Sequence, residues 1–312
     1  MPTDRPYHEG ELAVQARAGV ARAAQRVARI LADRIPAAAL SFIARQSMVV
    51  LGSRDPNGNI WASLAYGQPG FLVAESDRQL ALHHAACYTA AGDPLWSNLR
   101  TDAEVGLLLI ELATRRRLRI NGKMRPRADG DWRVSVEQAY ANCPKYIQAR
   151  GLRIRETGAA PTTPTVDQGT ELTAAQQAWI AGADTFFVAS AHPEQGLDAS
   201  HRGGPPGFVQ VIGSRWLRVP DYAGNNMFNT LGNIASHPRC GLVFADFERS
   251  RVLQLTGRAE ILWDQPDERG RAGGTARFWE FEVEVWRETE LGVELDWEEL
   301  GASPFLPVHR NA

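Results

Sequence analysis

The sequence predicts a mainly β protein with peripheral helices, made of two tandem copies of one small closed or split barrel. Two spacings predict it. Ala62-Ser63 is followed by Gly67-Gln68-Pro69-Gly70-Phe71, and Ala199-Ser200 by Gly204-Pro205-Pro206-Gly207-Phe208, with eight positions from serine to phenylalanine each time. Gly106-Leu107-Leu108 then leads to Gly122-Lys123, and Gly241-Leu242-Val243 to Gly257-Arg258, with sixteen positions between the glycines in both. The offset between copies changes only from 137 to 135 across these landmarks, as expected of a duplicated and diverged unit. A chain of 312 residues also exceeds what a single core usually serves.

Residues 1–40 read as a helical extension. Over 11–35, Val20, Val27, Ile30 and Leu31 recur at helical spacing, while Arg17, Arg22, Arg26 and Arg29 interrupt every apolar run and exclude a signal core or membrane span. The first barrel, 41–155, opens with a strand at 47–53, turns at Asp55-Pro56-Asn57-Gly58-Asn59 and returns over 60–64, because Asn-Gly between apolar runs marks a hairpin. Strands follow at 71–74, 80–83, 105–111 and 116–121, with helices at about 94–101 and 134–149. Residues 156–170, holding Gly158, Pro161 and Pro164 without apolar periodicity, read as a linker.

The second barrel, 171–312, repeats the order. A short helix from Thr173 precedes strands at 185–190, 208–212 and 216–219, a helix at 227–236, and strands at 241–246 and 252–263. Phe281, Val283 and Val285 alternate with Glu280, Glu282 and Glu284 in a closing strand with one wet face. The acidic tail at 288–299, carrying Trp297, is placed as a cap on the partner unit.

Thirty-four basic and 36 acidic side chains give a net charge of −2, which supplies no overall field for nucleic acid or an anionic membrane. An anionic ligand has to be held locally. Cys87, Cys143 and Cys240 form neither a disulfide framework nor a zinc cluster and fit a reducing cytoplasm. His83-His84, His8, His192, His237 and His309 show no metal-ligand spacing, and no Gly-x-Gly-x-x-Gly or Walker loop occurs.

Two segments of the second unit carry donors suited to a phosphate. Ser200, His201, Arg202 and Gly203 sit at a strand end, where a guanidinium binds bidentately and glycine lets backbone N–H groups approach; the plainer reading is a turn with a solvated arginine. Tyr222, Asn225, Asn226, Asn229, Thr230 and Asn233 lead into a helix, whose first N–H groups favour an anion, although Asn225 or Asn226 also suits an N-cap. The first unit has Leu64, Ala65 and Tyr66 in place of His201, Arg202 and Gly203, so its own site reads as degenerate. It offers instead Arg115, Arg117, Arg119 and Asn121 on one face of a strand, either a solvated face or a wall that meets an anion from the neighbouring unit. Cys143, before Pro144, reads as a small buried hydrophobe or as a thiol at a helix start.

Together these segments resemble the pyridoxamine 5′-phosphate oxidase-like family of FMN-binding split barrels, in its two-barrel branch. The resemblance is carried by 183–190, Ser200-His201-Arg202-Gly203-Gly204, Gly224-Asn225, 228–233, Thr114-Arg115-Arg116-Arg117 and Asn142-Cys143-Pro144-Lys145-Tyr146-Ile147-Gln148, spread over about 40–285. It implies FMN between two barrels, with Ser200, His201, Arg202 and Gly203 along the flavin, and Tyr222, Asn225 and Asn226 near its phosphate. Asn229, Thr230 and Asn233 would come from the following helix and Arg117, Arg119 and Asn121 from the opposing wall. Asn225 and Asn226 stand where the family's oxidases place a basic pair, so the resemblance implies flavin-mediated electron or hydride transfer, with an NAD(P)H-dependent reductase as a donor, and no vitamin chemistry. FAD or a deazaflavin is a lesser expectation. Haem on His201 or His237, or a non-catalytic flavin carrier, is the alternative, and a homodimer is compatible with each.

Overall fold

The computed structural model describes residues 6–155 and 166–307. The chain begins with α1 (Glu9–Arg17), α2 (Ala21–Val27) and α3 (Leu40–Ala44). The first half then lays down β1 (Met48–Arg54), β2 (Ile60–Tyr66), β3 (Leu72–Ser76), β4 (Gln79–Leu82), β5 (Tyr88–Thr89), α4 (Pro94–Thr101), β6 (Glu104–Glu111), β7 (Arg116–Pro126), β8 (Trp132–Ala141) and β9 (Ala149–Arg155). The second half follows with β10 (Val166–Gly169), α5 (Ala174–Gly182), β11 (Thr185–His192), β12 (Gly196–Gly203), β13 (Gln210–Ile212) and β14 (Trp216–Pro220). It ends with α6 (Asn229–Ser236), β15 (Arg239–Asp246), β16 (Arg251–Leu262), β17 (Phe278–Glu290) and β18 (Glu294–Gly301).

The duplication is explicit in the strand order. The first sheet runs β3-β4-β8-β7-β6-β1-β2 with β5 added, and the second β13-β14-β17-β16-β15-β11-β12, so each strand of one half has its counterpart at the same place in the other. Both sheets shift register at the second pair of repeat glycines, between Asn121 and Gly122 and between Thr256 and Gly257, a bulge that bends the long strand.

Each half has its own core, and a third apolar cluster joins them. In β6, Leu107 and Leu109 belong to the first core while Leu108 and Ile110 belong to the shared one. Strands buried on both faces are mostly apolar without alternation, as β1, β2 and β11 are. The first pair of repeat glycines brings the halves together. A Cβ at Gly106 would lie 2.6 Å from the Cα of Asp198, and one at Gly241 would lie 2.8 Å from the Cα of Trp61.

Several expectations need correction. The single helix at 11–35 is broken at Gly19, which takes φ +70, so α1 and α2 are separate and short. No helix occupies 134–149; β8 runs to Ala141, a loop follows, and β9 starts at Ala149. Trp132, Val134 and Val136 are buried in alternation with Arg133, Ser135 and Glu137, and β8 pairs on both sides with β4 and β7, so pairing overrides local helical preference. Cys143 therefore precedes no helix. Within the supposed linker, 166–169 is β10, paired with β17, while 156–165 and His309 lie outside the described residues. The tail does reach the first unit: β18 pairs with β9, and Trp297 packs edge-on against Tyr66. No helix among the described residues is long and apolar enough to cross a membrane.

Candidate functional site

A cleft forms where β7 of the first half faces β12 of the second, rimmed by the 142–146 loop and the 220–228 loop. Alternation along β7 aims Arg117 and Arg119 across the junction. Arg119 is the central brace: Nη1 donates to Asp198 Oδ2 at 2.8 Å and to Asn229 Oδ1 at 3.2 Å, and Nη2 donates to Ser200 Oγ at 2.8 Å. Tyr140 supports it by donating from its hydroxyl to the other oxygen of Asp198 at 3.1 Å. Arg202 reaches the opposite way and donates to Asp221 Oδ1 at 3.0 Å, while Arg277 holds Asp221 Oδ2 at 2.8 Å.

Arg117 differs from both. Its Nε donates to the Cys143 carbonyl oxygen at 2.9 Å and its Nη2 lies 3.8 Å from Cys143 Sγ; among the described residues no carboxylate pairs with it. Burial pushes its pKa down to about 10, helped by Arg119 and Arg202. Burial also pulls Arg119 down, but Asp198 and Tyr140 together outweigh it and the net shift is upward. His201 is held well below its ordinary pKa, by burial first and then by Arg117, Arg202, Arg150 and Arg119, so its imidazole is neutral. The cleft carries three guanidinium groups and Lys145 against Asp198 and Asp221, an excess of positive charge.

Backbone strain concentrates here. Tyr146, Asn226 and Phe228 all take positive φ, at 67°, 65° and 62°, a region that non-glycine residues rarely enter. Gly203 is required, because a Cβ there would run into the Tyr146 carbonyl oxygen. The N-cap of α6 is Phe228, with no side-chain cap, so neither Asn225 nor Asn226 caps it. Asn225 instead accepts from the Met227 N–H at 3.1 Å and donates to Asn142 Oδ1 at 2.7 Å.

Of the residues singled out in the sequence, the cleft brings together Ser200, His201, Arg202, Gly203, Tyr222, Asn225, Asn226, Asn229, Thr230, Arg117 and Arg119. Two lie elsewhere. Asn121 sits behind the wall, donating to Gln138 Oε1 at 3.2 Å, and Asn233 faces away toward Ser190 and His8. Arg115 leaves the strand face and donates to the carbonyls of Ile147, Gly301 and Ala302. His237, at the far end of α6, lies outside the cleft. Sequence reasoning gave no site role to Lys145, Tyr146, Asp221 or Glu11, although the 142–148 motif was the signal for the first two.

His8, Glu9 and His192 come within 4.8 Å of one another. His192 Nδ1 accepts from the N–H groups of Glu194 and Gln195, which leaves the ring proton on Nε2, 2.8 Å from Glu9 Oε1. A ligating histidine donates from its second nitrogen, so this trio is a hydrogen-bonded latch and does not ligate a cation.

The family model described as pyridoxamine 5′-phosphate oxidase matches residues 35–159 and again 172–290. The chain belongs to that family. No curated protein matches the sequence. This oxidase-family chain is similar to several solved structures. HupZ from Group A Streptococcus is 14% identical, with 42% of this chain and 98% of that one covered and a TM-score of 0.29. A FAD-binding protein from Mesorhizobium loti is 14% identical, with 41% and 98% covered and a TM-score of 0.27. HutZ, the heme storage protein from Vibrio cholerae, is 10% identical, with 35% and 89% covered and a TM-score of 0.27.

Proposed function

We propose that the chain is a flavin-dependent oxidoreductase or electron-transfer protein that holds FMN in this cleft. The carrying observation is Arg117, a desolvated guanidinium without a carboxylate beside two others, which is what an anion site requires before its anion arrives. The donor set fits a phosphorylated flavin: Arg119 Nε, Arg202 Nε, His201 Nε2, Thr230 Oγ1, Tyr222 OH and Asn142 Nδ2 are buried without a partner among the described residues. When bound, the flavin supplies the hydride and electron transfer. The chain's part is to bind and orient. Arg117, Arg202 and the uncapped start of α6 take the phosphate, and Arg119, fixed by Asp198 and Ser200, keeps the wall rigid. FAD or a deazaflavin is the lesser alternative for the same donors, and an NAD(P)H-dependent reductase is the electron donor in this reading.

Haem is the second reading, since His201 offers a buried, neutral nitrogen. The four arginines that depress His201 oppose a further cation beside it. An absorption spectrum from 300 to 700 nm, repeated anaerobically with NADPH, decides. Twin flavin bands that bleach are expected, and bands that bleach only with an added reductase mark an electron carrier. A Soret band would establish haem, and failure to reconstitute with FMN would end the flavin reading. Arg117→Ala should weaken FMN 10- to 100-fold, about 1.4–2.8 kcal/mol, while leaving the unfolding midpoint unchanged or higher.

A further inference from the structure

The N-terminal extension packs behind α6, whose first residues line the cleft. α1 crosses α6 so closely that a Cβ at Gly10 would run into the Gly232 carbonyl oxygen, and one at Gly232 would lie 2.7 Å from the Cα of Glu11. That crossing seats Glu11, only 4% exposed, against the helix that carries Asn229. Glu11 Oε2 accepts from the His8 N–H at 3.0 Å, and Oε1 accepts from Asn229 Nδ2 at 2.6 Å. The carbonyl oxygen of the same amide accepts from Arg119 Nη1 at 3.2 Å. One amide group therefore separates this carboxyl from the central cation of the cleft.

We propose that Glu11 is a positioning residue of the cleft, acting through Asn229 on Arg119 to set how strongly the site holds an anionic ligand. Ionised Glu11 offsets part of the positive field of Arg119 and draws the Asn229 amide toward itself; neutral Glu11 leaves that field to the ligand. Burial raises its pKa to about 7, Asp198 adds to the rise, and the bonds from His8 and Asn229 and the charge of Arg119 oppose it. The change of state thus falls near neutrality.

The other groups facing Glu11 are common to the wild-type chain and Glu11→Gln. On its own segment are Tyr7, raised to about 12 by burial, His8, lowered to about 4 by burial and His192, and Glu9, lowered by its bond to His192. His192 of β11 stacks on His8 with ring centroids 4.1 Å apart, α6 presents Asn229 and Asn233, and β8 presents Tyr140, whose pKa burial raises. Arg119 of β7 and Asp198 of β12 pair at 2.8 Å.

The inference rests on the anion-site reading. FMN and, separately, inorganic phosphate are titrated at pH 6, 7 and 8 into the wild-type chain, Glu11→Gln and Asn229→Leu. The ligand's own ionisation is common to all three, so the readout is the ratio of affinities. Wild-type affinity relative to Glu11→Gln should fall on the order of tenfold from pH 6 to pH 8, and Asn229→Leu, which keeps only the direct field of Glu11 on Arg119, should show a smaller pH dependence. A ratio that stays constant with pH, whether or not Glu11→Gln binds more weakly throughout, overturns the role of Glu11 and leaves the flavin reading intact. Phosphate binding without FMN binding sinks only the flavin, and binding of neither sinks both. Should Glu11→Gln fail to fold, Asn229→Leu against wild type carries the same comparison.

Discussion

In the cleft, Arg119 of β7 donates to Ser200 of β12 at 2.8 Å; at the position the repeat relates to it, Gln254 of β16 donates to Ser63 of β2 at 3.1 Å. Around Ser200 there are more donors than the protein satisfies, with strained loops at the rim and positive charge in excess. Around Ser63 the account closes. Ser63 Oγ donates to Asp93 Oδ1 at 2.6 Å, and Gln254 Nε2 reaches the Ala62 carbonyl oxygen at 2.9 Å and Asp93 Oδ2 at 3.2 Å, all of it buried. The two junctions share backbone, register and glycine contact. An amide spends its hydrogen bonds within one small network, whereas a guanidinium has five donors and a charge, so the arginine half keeps capacity for a ligand and the glutamine half does not.

Arg119→Gln would write the closed pattern into the open half, and it leaves Asp198 buried without its cation. A loss of about 3–5 kcal/mol in urea unfolding is expected, together with loss of FMN binding. Asp93, in the closed half, gives the next largest effect. Burial pushes its pKa up to about 6, against the hydrogen bonds from Ser63, Leu95 and Gln254. The folded chain therefore keeps a proton that the unfolded chain releases near pH 4. Its contribution to stability is greatest below pH 4, falls as pH rises to about 6 by roughly 3 kcal/mol, and is flat above. Asp93→Asn should flatten that slope, and a slope equal to the wild type's would show that the closed network does not set it.

Gly106→Ala and Gly241→Ala should each cost about 2 kcal/mol, because both press a methyl group on backbone of the other half. Only Gly106→Ala should also weaken FMN, since the backbone it displaces is that of Asp198. The smallest contrast is between the serines. Ser63→Ala is expected to lower stability by about 1 kcal/mol without touching flavin affinity, and Ser200→Ala to lower both. Equal effects in the two assays would erase the distinction between the halves.

The repeat made most of the architecture legible, because its glycines mark contacts where no side chain fits and such positions survive divergence of everything around them. Helix α4 follows from Asp93-Pro94, a capping carboxylate before a proline at the first turn. The misreading at 134–149 has the opposite cause: β8 owes its state to partners on both sides, which a local window does not contain. The site was legible where one segment carried several donors, as in Ser200 to Gly203. It was illegible where the role depends on a distant partner, as for Glu11, 218 positions from Asn229, or Asp221, whose two arginines come from β12 and the approach to β17.

In the proposed flavin reading, the sealed Ser63–Gln254 contact also sets the expected stoichiometry. Two identical units would offer two equivalent pockets at their junction, and occupancy of one could alter the other. With the Ser63 junction closed by its own hydrogen bonds, only the Ser200 junction among the described residues keeps unpaired donors, and the proposed site has no repeat-related twin with which to cooperate. Saturation should follow one hyperbola at one equivalent per chain, and the response to ligand supply is graded.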